Sequence, residues 1–157
     1  MTLEQLTAIE EIKQLKGRYC LYIDLHEWDN YADCFAVDGT IDADTAVSTQ
    51  GRDGKPQPQI KGRTEIRRFM EQLLDRAVTV HHVHSPIIEL TSSRTATGIW
   101  AMEDDVELPD WHLHARGHYR ETYAVEEGKW RIASLHLTRT RIDMLKGGAS
   151  GPDHMTF

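Results

Sequence analysis

Val78-Thr-Val-His81-His82-Val83-His84-Ser85-Pro86 alternates apolar and polar residues, as a half-buried strand does, and puts three imidazoles into four positions. Side chains of a strand alternate between its faces, so His81, Val83 and Ser85 should point one way, and His82 and His84 the other. With Val83 inward, His81 becomes an imidazole inside an apolar enclosure, where a lone histidine is able to move a proton near neutral pH. Its partner has to come from elsewhere in the chain.

Downstream the sequence reads almost entirely as β. Pro86 to Leu90 and Thr95 to Val106 flank the turn Thr91-Ser-Ser-Arg94, while His112 to Val125 and Lys129 to Met144 flank Glu126-Glu127-Gly128. Upstream it reads mainly as helix. Thr2-Leu-Glu-Gln5 has the capping-box form and Ile9, Ile12, Tyr19 and Ile23 follow at helical spacing, which predicts an amphipathic helix of about six turns. Trp28, Tyr31, Ala32 and Phe35 predict a short second helix, and Val37-Asp-Gly-Thr-Ile41 a turn into a brief strand. Ile66, Phe69, Met70 and Leu73 mark a third helix from about Arg63 to Ala77, with Arg67, Arg68 and Asp75 on its wet face.

Between these elements Ala43 to Ile60 is a long polar run centred on Gly51-Arg-Asp-Gly-Lys-Pro56, which suits a lid or binding loop as readily as a passive surface excursion. The order helix, helix, strand, helix, then a long antiparallel meander calls for an α+β fold with a strongly curved sheet wrapped over the helices. One domain over residues 1–144 is expected, with the Gly-rich 145–157 as a flexible tail.

The chain of 157 residues is 39% hydrophobic and 27% charged, enough for one core around a pocket. A net charge of -7 with no Lys/Arg run removes the electrostatic footprint of nucleic-acid binding. No apolar run approaches the ~18 residues of a membrane span, no signal-like segment stands at the start, and Cys20 and Cys34 lack CxxC spacing. These features predict a soluble, cytoplasmic protein.

The end of the first helix carries Tyr19, Cys20, Tyr22 and Asp24, with Asp24 on the edge of the apolar stripe. Spacing alone leaves Asp24 either a helix-ending residue or a half-hidden carboxylate. The motifs together carry a resemblance: Tyr19-x4-Asp24-x3-Trp28, His81-x-Val83, Trp100-x3-Asp104, and Gly128-Lys-Trp130-Arg-Ile132 opening the last strand. Over about residues 5–143 the chain resembles the SnoaL-like branch of the nuclear-transport-factor-2-like superfamily, near scytalone dehydratase and the bile-acid 7α-dehydratases. The resemblance implies a cone whose helices and curved sheet enclose one apolar pocket containing an Asp-His pair. Asp24 matches the family's carboxylate and His81 its histidine. A carboxylate on one ring nitrogen fixes the tautomer and leaves the other nitrogen free to take a proton beside a carbonyl. Tyr19 matches the phenol or lysine that members carry there, able to hydrogen-bond an enolate oxygen or a departing hydroxyl.

Asp104 falls close to the spacing of an additional acidic group in the bile-acid enzymes, and alternation puts it on a face with Met102 and Trp100; a solvated strand end is its plainer reading. Leu135, Leu137, Arg139 and Arg141 should share a face of the last strand, so one of the two arginines is a candidate to reach into the cavity. Trp100, Met102, Tyr119, Leu135 and Leu137 are assigned to the substrate-binding surface beside Asp104, Arg139 and Arg141. The chain departs from scytalone dehydratase at Ile23, Ala43 and Val106, where that enzyme's pattern has two tyrosines and a second histidine, which argues against scytalone as substrate.

The expected function is therefore a cofactor-independent lyase, a dehydratase acting on an apolar cyclic oxygenated molecule such as a polyketide, steroid or aromatic. An isomerase or cyclase using the same proton shuttle, and a non-catalytic ligand-binding module, are the alternatives. No metal is expected, although His82 and His84 with His112 and His114 form a rival imidazole set. His26, His118 and His136 read as satisfied surface or interface groups. A homo-oligomer is expected, a trimer before a dimer, through an outer sheet face expected to carry His82, His84 and Trp or Leu residues of the meander.

Overall fold

The computed structural model describes residues 1–43 and 59–145. Most of the polar run, residues 44–58, and the tail from 146 onward lie outside the described residues, so the expectations of a lid and of a flexible tail fall there. The first helix, α1, runs Leu3–Asp24 from a capping box in which Gln5 N–H donates to Thr2 Oγ1 at 3.2 Å and Thr2 N–H to Gln5 Oε1 at 2.8 Å. Its buried stripe is Ile12, Leu15, Lys16, Tyr19 and Ile23, a helical spacing that includes one cation. Helix α2 is Trp28–Asp33 and helix α3 Arg63–Leu74, the latter three residues shorter than its apolar spacing suggests.

Among the described residues six strands follow the order expected, with one addition: β1 Phe35–Asp42, the two-residue β2 Ile60–Lys61, β3 Val78–Leu90, β4 Thr95–Leu108, β5 Trp111–Glu126 and β6 Lys129–Leu145. They form one sheet in the order β2-β1-β6-β5-β4-β3, with β1 parallel to β6 and every other pair antiparallel. This is an α+β cone. Its hydrophobic core runs from Ile12, Leu15 and Ile23 of α1 through Phe35 to Leu113, Ile132 and Leu135 of the sheet, because most inward positions of β4, β5 and β6 are apolar. Among the described residues no helix is long and apolar enough to cross a membrane.

Three irregularities decide which side chains face inward. In β3 the alternation holds through Val83 and then breaks, because Ser85 adopts a positive φ of 50° and the pairing with β4 slips between His84 and Ile87; Ser85 is exposed instead of inward. In β6 the register slips opposite Thr122/Tyr123 and again opposite Arg116/Gly117. A Cβ on Gly117 would meet the Thr138 carbonyl oxygen at 2.0 Å, so only glycine accommodates the second bulge. Beyond it Arg139 stands opposite Gly117 and Arg141 opposite Arg116, which sends the two arginines to opposite faces.

The outer face also differs from expectation. Trp100, Trp130, Leu113, Leu135 and Leu137 are all buried, and the exposed apolar residues of β3 and β4 are Val78, Val80, Ile87 and Ile99. These tryptophans and leucines turn into the cone and not outward.

Candidate active site

Asp24 is the last residue of α1 and also the partner of the strand histidine, so both readings of it hold. Its Oδ1 lies 2.7 Å from His81 Nδ1 and accepts the Thr79 hydroxyl at 2.8 Å, while its Oδ2 accepts the His81 backbone N–H at 2.9 Å. Thr79 and His81 share the inner face of β3, which is why one carboxylate is able to collect both. Burial alone would raise the Asp24 carboxyl, but the bonds from the His81 ring, the His81 backbone and Thr79 outweigh it and hold it below the usual carboxylate value. An ionised Asp24 is an acceptor only, so Nδ1–H of His81 donates to it, and the ring's other nitrogen, Nε2, is left as the base.

His81 lines a cavity of about 120 Å³, whereas Asp24 does not and stands behind the imidazole. The dyad is thus layered, carboxylate outside and imidazole inside. Tyr19, Tyr31 and Tyr119 line the same cavity, with the Tyr19 ring 5.2 Å from Tyr31 and 5.9 Å from Tyr119. Burial, then the neighbouring Tyr119 and Tyr31 phenols, push Tyr19 well above the ordinary tyrosine value, so its hydroxyl stays protonated as a donor. Phe69, Met70 and Leu73 of α3 supply an apolar wall.

Asp104 is directly opposite His81 in the β3–β4 ladder and also lines the cavity, against its plainer reading as a solvated strand end. Arg139 Nη2 donates to Asp104 Oδ2, and the pair is buried at 5% and 2% side-chain exposure. The intervening strand offers only Ala115 and Gly117 at the matching positions, which leaves room for the guanidinium to cross it. Asp104 Oδ1, Arg139 Nε and Nη1 and the Tyr31 hydroxyl find no hydrogen-bond partner among the described groups.

Three of the expected substrate-binding residues stand elsewhere. Arg141 is exposed and donates to Asp143 at 2.9 Å, because the Gly117 bulge reverses its side. Trp100 is buried but absent from the cavity wall: its indole N–H donates to the Tyr123 hydroxyl at 2.8 Å. Met102 is core packing beneath the wall. Tyr119, Leu135 and Leu137 do line the cavity.

The rival imidazole set is not assembled. His82 and His84 on β3 are separated by β4 from His112 and His114 on β5, whose Nε2 atoms lie 2.5 Å from Asp105 Oδ1 and 2.6 Å from Glu103 Oε1. Among the described residues no three His, Cys, Asp or Glu side chains converge as a metal site. His26 stacks on Trp28 at 4.9 Å. What the sequence reading missed is Lys16 paired with Glu121 in the core; the signal was a lysine between Ile12 and Tyr19 in the apolar stripe, and a glutamate between two inward tyrosines of β5.

The SnoaL-like domain model matches residues 4–136. The chain belongs to the SnoaL-like domain family. Solved structures share the cone: a candidate scytalone dehydratase from Novosphingobium aromaticivorans is 18% identical, with all of both chains covered and a TM-score of 0.78. A hexachlorocyclohexane dehydrochlorinase, LinA-type3 from Novosphingobium barchaimii, is 16% identical over 96% of this chain and 98% of its own, with a TM-score of 0.77. A single-residue variant of Rv3472, a protein of unknown function from Mycobacterium tuberculosis, is 24% identical over 88% of this chain and 75% of its own, with a TM-score of 0.70. At these identities the likeness is one of fold.

Proposed function

We propose that this SnoaL-like protein is a cofactor-independent lyase that eliminates water from an apolar, cyclic, oxygenated substrate. The observation that carries the reading is the layered dyad: Asp24 fixes Nδ1 of His81 from behind, and His81 alone of the two reaches the cavity. In this scheme His81 Nε2 takes a proton from the carbon beside a carbonyl, and the electron pair moves onto the carbonyl oxygen. Tyr19 donates to that oxygen while the charge develops. Collapse of the enolate forms the C=C bond and breaks the C–O bond, and the hydroxyl leaves as water with the proton His81 returns. Two of the proteins sharing the fold are named for eliminations, a dehydrochlorinase and a candidate dehydratase, which is consistent with this chemistry. The unpartnered atoms of Asp104 and Arg139 would bind the substrate's remaining oxygen functions.

The test is a panel of cyclic β-hydroxy ketones followed by enone absorbance, with parallel NMR of α-proton exchange in D2O. Enone formation, and exchange that disappears in His81→Ala, are expected. Exchange with a shifted double bond and no loss of water would make it an isomerase. Tight binding with neither exchange nor product would leave a binding module.

A further inference from the structure

Lys16 is fully buried on the inward stripe of α1. Its ammonium donates to Oε1 of Glu121 on β5 at 2.5 Å, and both side chains are at 0% exposure. Glu121 is held in turn by the Tyr123 hydroxyl, which donates to its other oxygen and accepts the Trp100 indole N–H. The same ammonium stands 3.7 Å from the ring centroid of Tyr19 and 3.8 Å from that of Tyr119. Three donors thus meet one carboxylate and two phenol faces. Both phenols line the cavity, and neither Lys16 nor Glu121 does.

We propose that Lys16 is a positioning residue for the cavity: gripped by Glu121, its ammonium holds Tyr19 and Tyr119 by their ring faces and makes their hydroxyls stronger donors toward a negatively charged oxygen bound there. A cation on a π face draws electron density out of the ring and its oxygen, and the attraction is largest where water is excluded. Stability gives no reason for the pair, since apolar residues of similar volume commonly replace a buried ion pair at no cost. The inference rests on Tyr19 acting as an oxyanion donor and adds where its donor strength originates.

The probe is 4-nitrophenol at a pH where it is ionised, with 4-nitrotoluene as the uncharged isostere. Affinities are measured by calorimetry for the wild-type protein and for Lys16→Met/Glu121→Gln, each with and without Tyr19→Phe/Tyr119→Phe. Lys16→Met/Glu121→Gln should weaken nitrophenolate about 3- to 30-fold, the span of cation–π contacts from exposed to desolvated sites, with nitrotoluene nearly unchanged. In the phenylalanine background the Lys16 effect should vanish. Equal weakening of both probes, or the same loss without the hydroxyls, would overturn the proposal in favour of plain packing or of direct charge attraction. Unchanged binding in the Lys16 variant, with a clear loss in the phenylalanine variant, would overturn this inference alone; no loss in the phenylalanine variant would overturn the donor reading beneath it. A measurement on the wild-type chain needs neither ligand nor variant. Its 15N-lysine NMR spectrum should show Lys16 as an ammonium with cross-peaks to the Tyr19 and Tyr119 ring protons, and a neutral amine or missing contacts would overturn the proposal.

Discussion

Arg139 neutralises Asp104 inside the cavity wall, each side chain nearly wholly withdrawn from solvent. Removing one partner leaves the other charged, buried and alone. Asp104→Ala should therefore lower stability by about 3–5 kcal/mol, whereas Asp104→Leu/Arg139→Met should cost far less. Urea unfolding of the two variants decides it, and equal losses would mean the pair is not a closed unit.

Replacing His81 with Ala should remove about 100- to 10,000-fold of turnover, the usual contribution of a positioned general base. Asp24→Asn should cost a comparable factor, because an amide carbonyl or amino group on Nδ1 no longer enforces one tautomer. Ligand affinity should move far less than turnover in both. Near-normal rates in a folded His81→Ala protein would sink the mechanism.

For Tyr19→Phe the expected loss of turnover is smaller, about 10- to 1,000-fold, as for one donor to a developing oxyanion. Its pH–rate profile should keep the wild-type alkaline limb, since a phenol held well above its ordinary value does not titrate in the working range. A limb that moves in Tyr19→Phe would show the phenol acting as a titrating base.

Asp24 links stability to acid. Its carboxyl lies below the ordinary value in the folded chain, so its contribution is present above about pH 3.9, the value of a free aspartate, and is lost as pH falls through the lower folded value. The decline of stability on acidification should be shallower in Asp24→Asn, followed by thermal unfolding across acidic buffers.

Tyrosines act at the other end. Tyr19, Tyr31, Tyr119 and Tyr123 are all raised, first by burial. A raised folded value means their contribution is intact below about pH 10 and is lost as pH climbs above it. Their tyrosinate absorbance at alkaline pH should therefore appear together with loss of the near-ultraviolet circular dichroism signal, and ionisation of all four before unfolding would contradict their burial.

Much of this architecture is legible because it depends on periodicity. The capping box at Thr2 and Gln5, the stripe to Ile23 and the turns at Thr91 and Gly128 are local signals, and α1 and the β3–β4 and β5–β6 turns appear where they place them, whereas Phe35, read as helical, opens β1. The dyad is legible as a pair of motif matches and alternation turns His81 inward, but nothing in the chain states that Asp24 stands behind the imidazole, off the cavity wall. Arg141 stands elsewhere for one reason, and Trp100 and Met102 for another. Alternation tells which face a residue occupies only until the ladder slips, and it does not separate a cavity wall from the packing beneath. Gly117, a glycine within a long strand, was the visible warning of a bulge.

That bulge also sets the charge of the chamber. In a β6 without the slip Arg141 would lie opposite Ala115 and join Arg139 inside, and Asp104, the one carboxylate among the described residues of the cavity wall, would balance only one of them. Because one additional residue is looped out opposite Gly117, the second guanidinium is spent on Asp143 at the surface and Ile142 takes the inward place. Deleting Thr140 would straighten the ladder and still leave Arg141 opposite Arg116 and Ile142 opposite Ala115, because the looped-out residue itself would be gone. The charge facing this chamber thus hangs on one slipped residue: the same sequence with Thr140 paired to Arg116 would carry a second guanidinium inside, without any change of residue type.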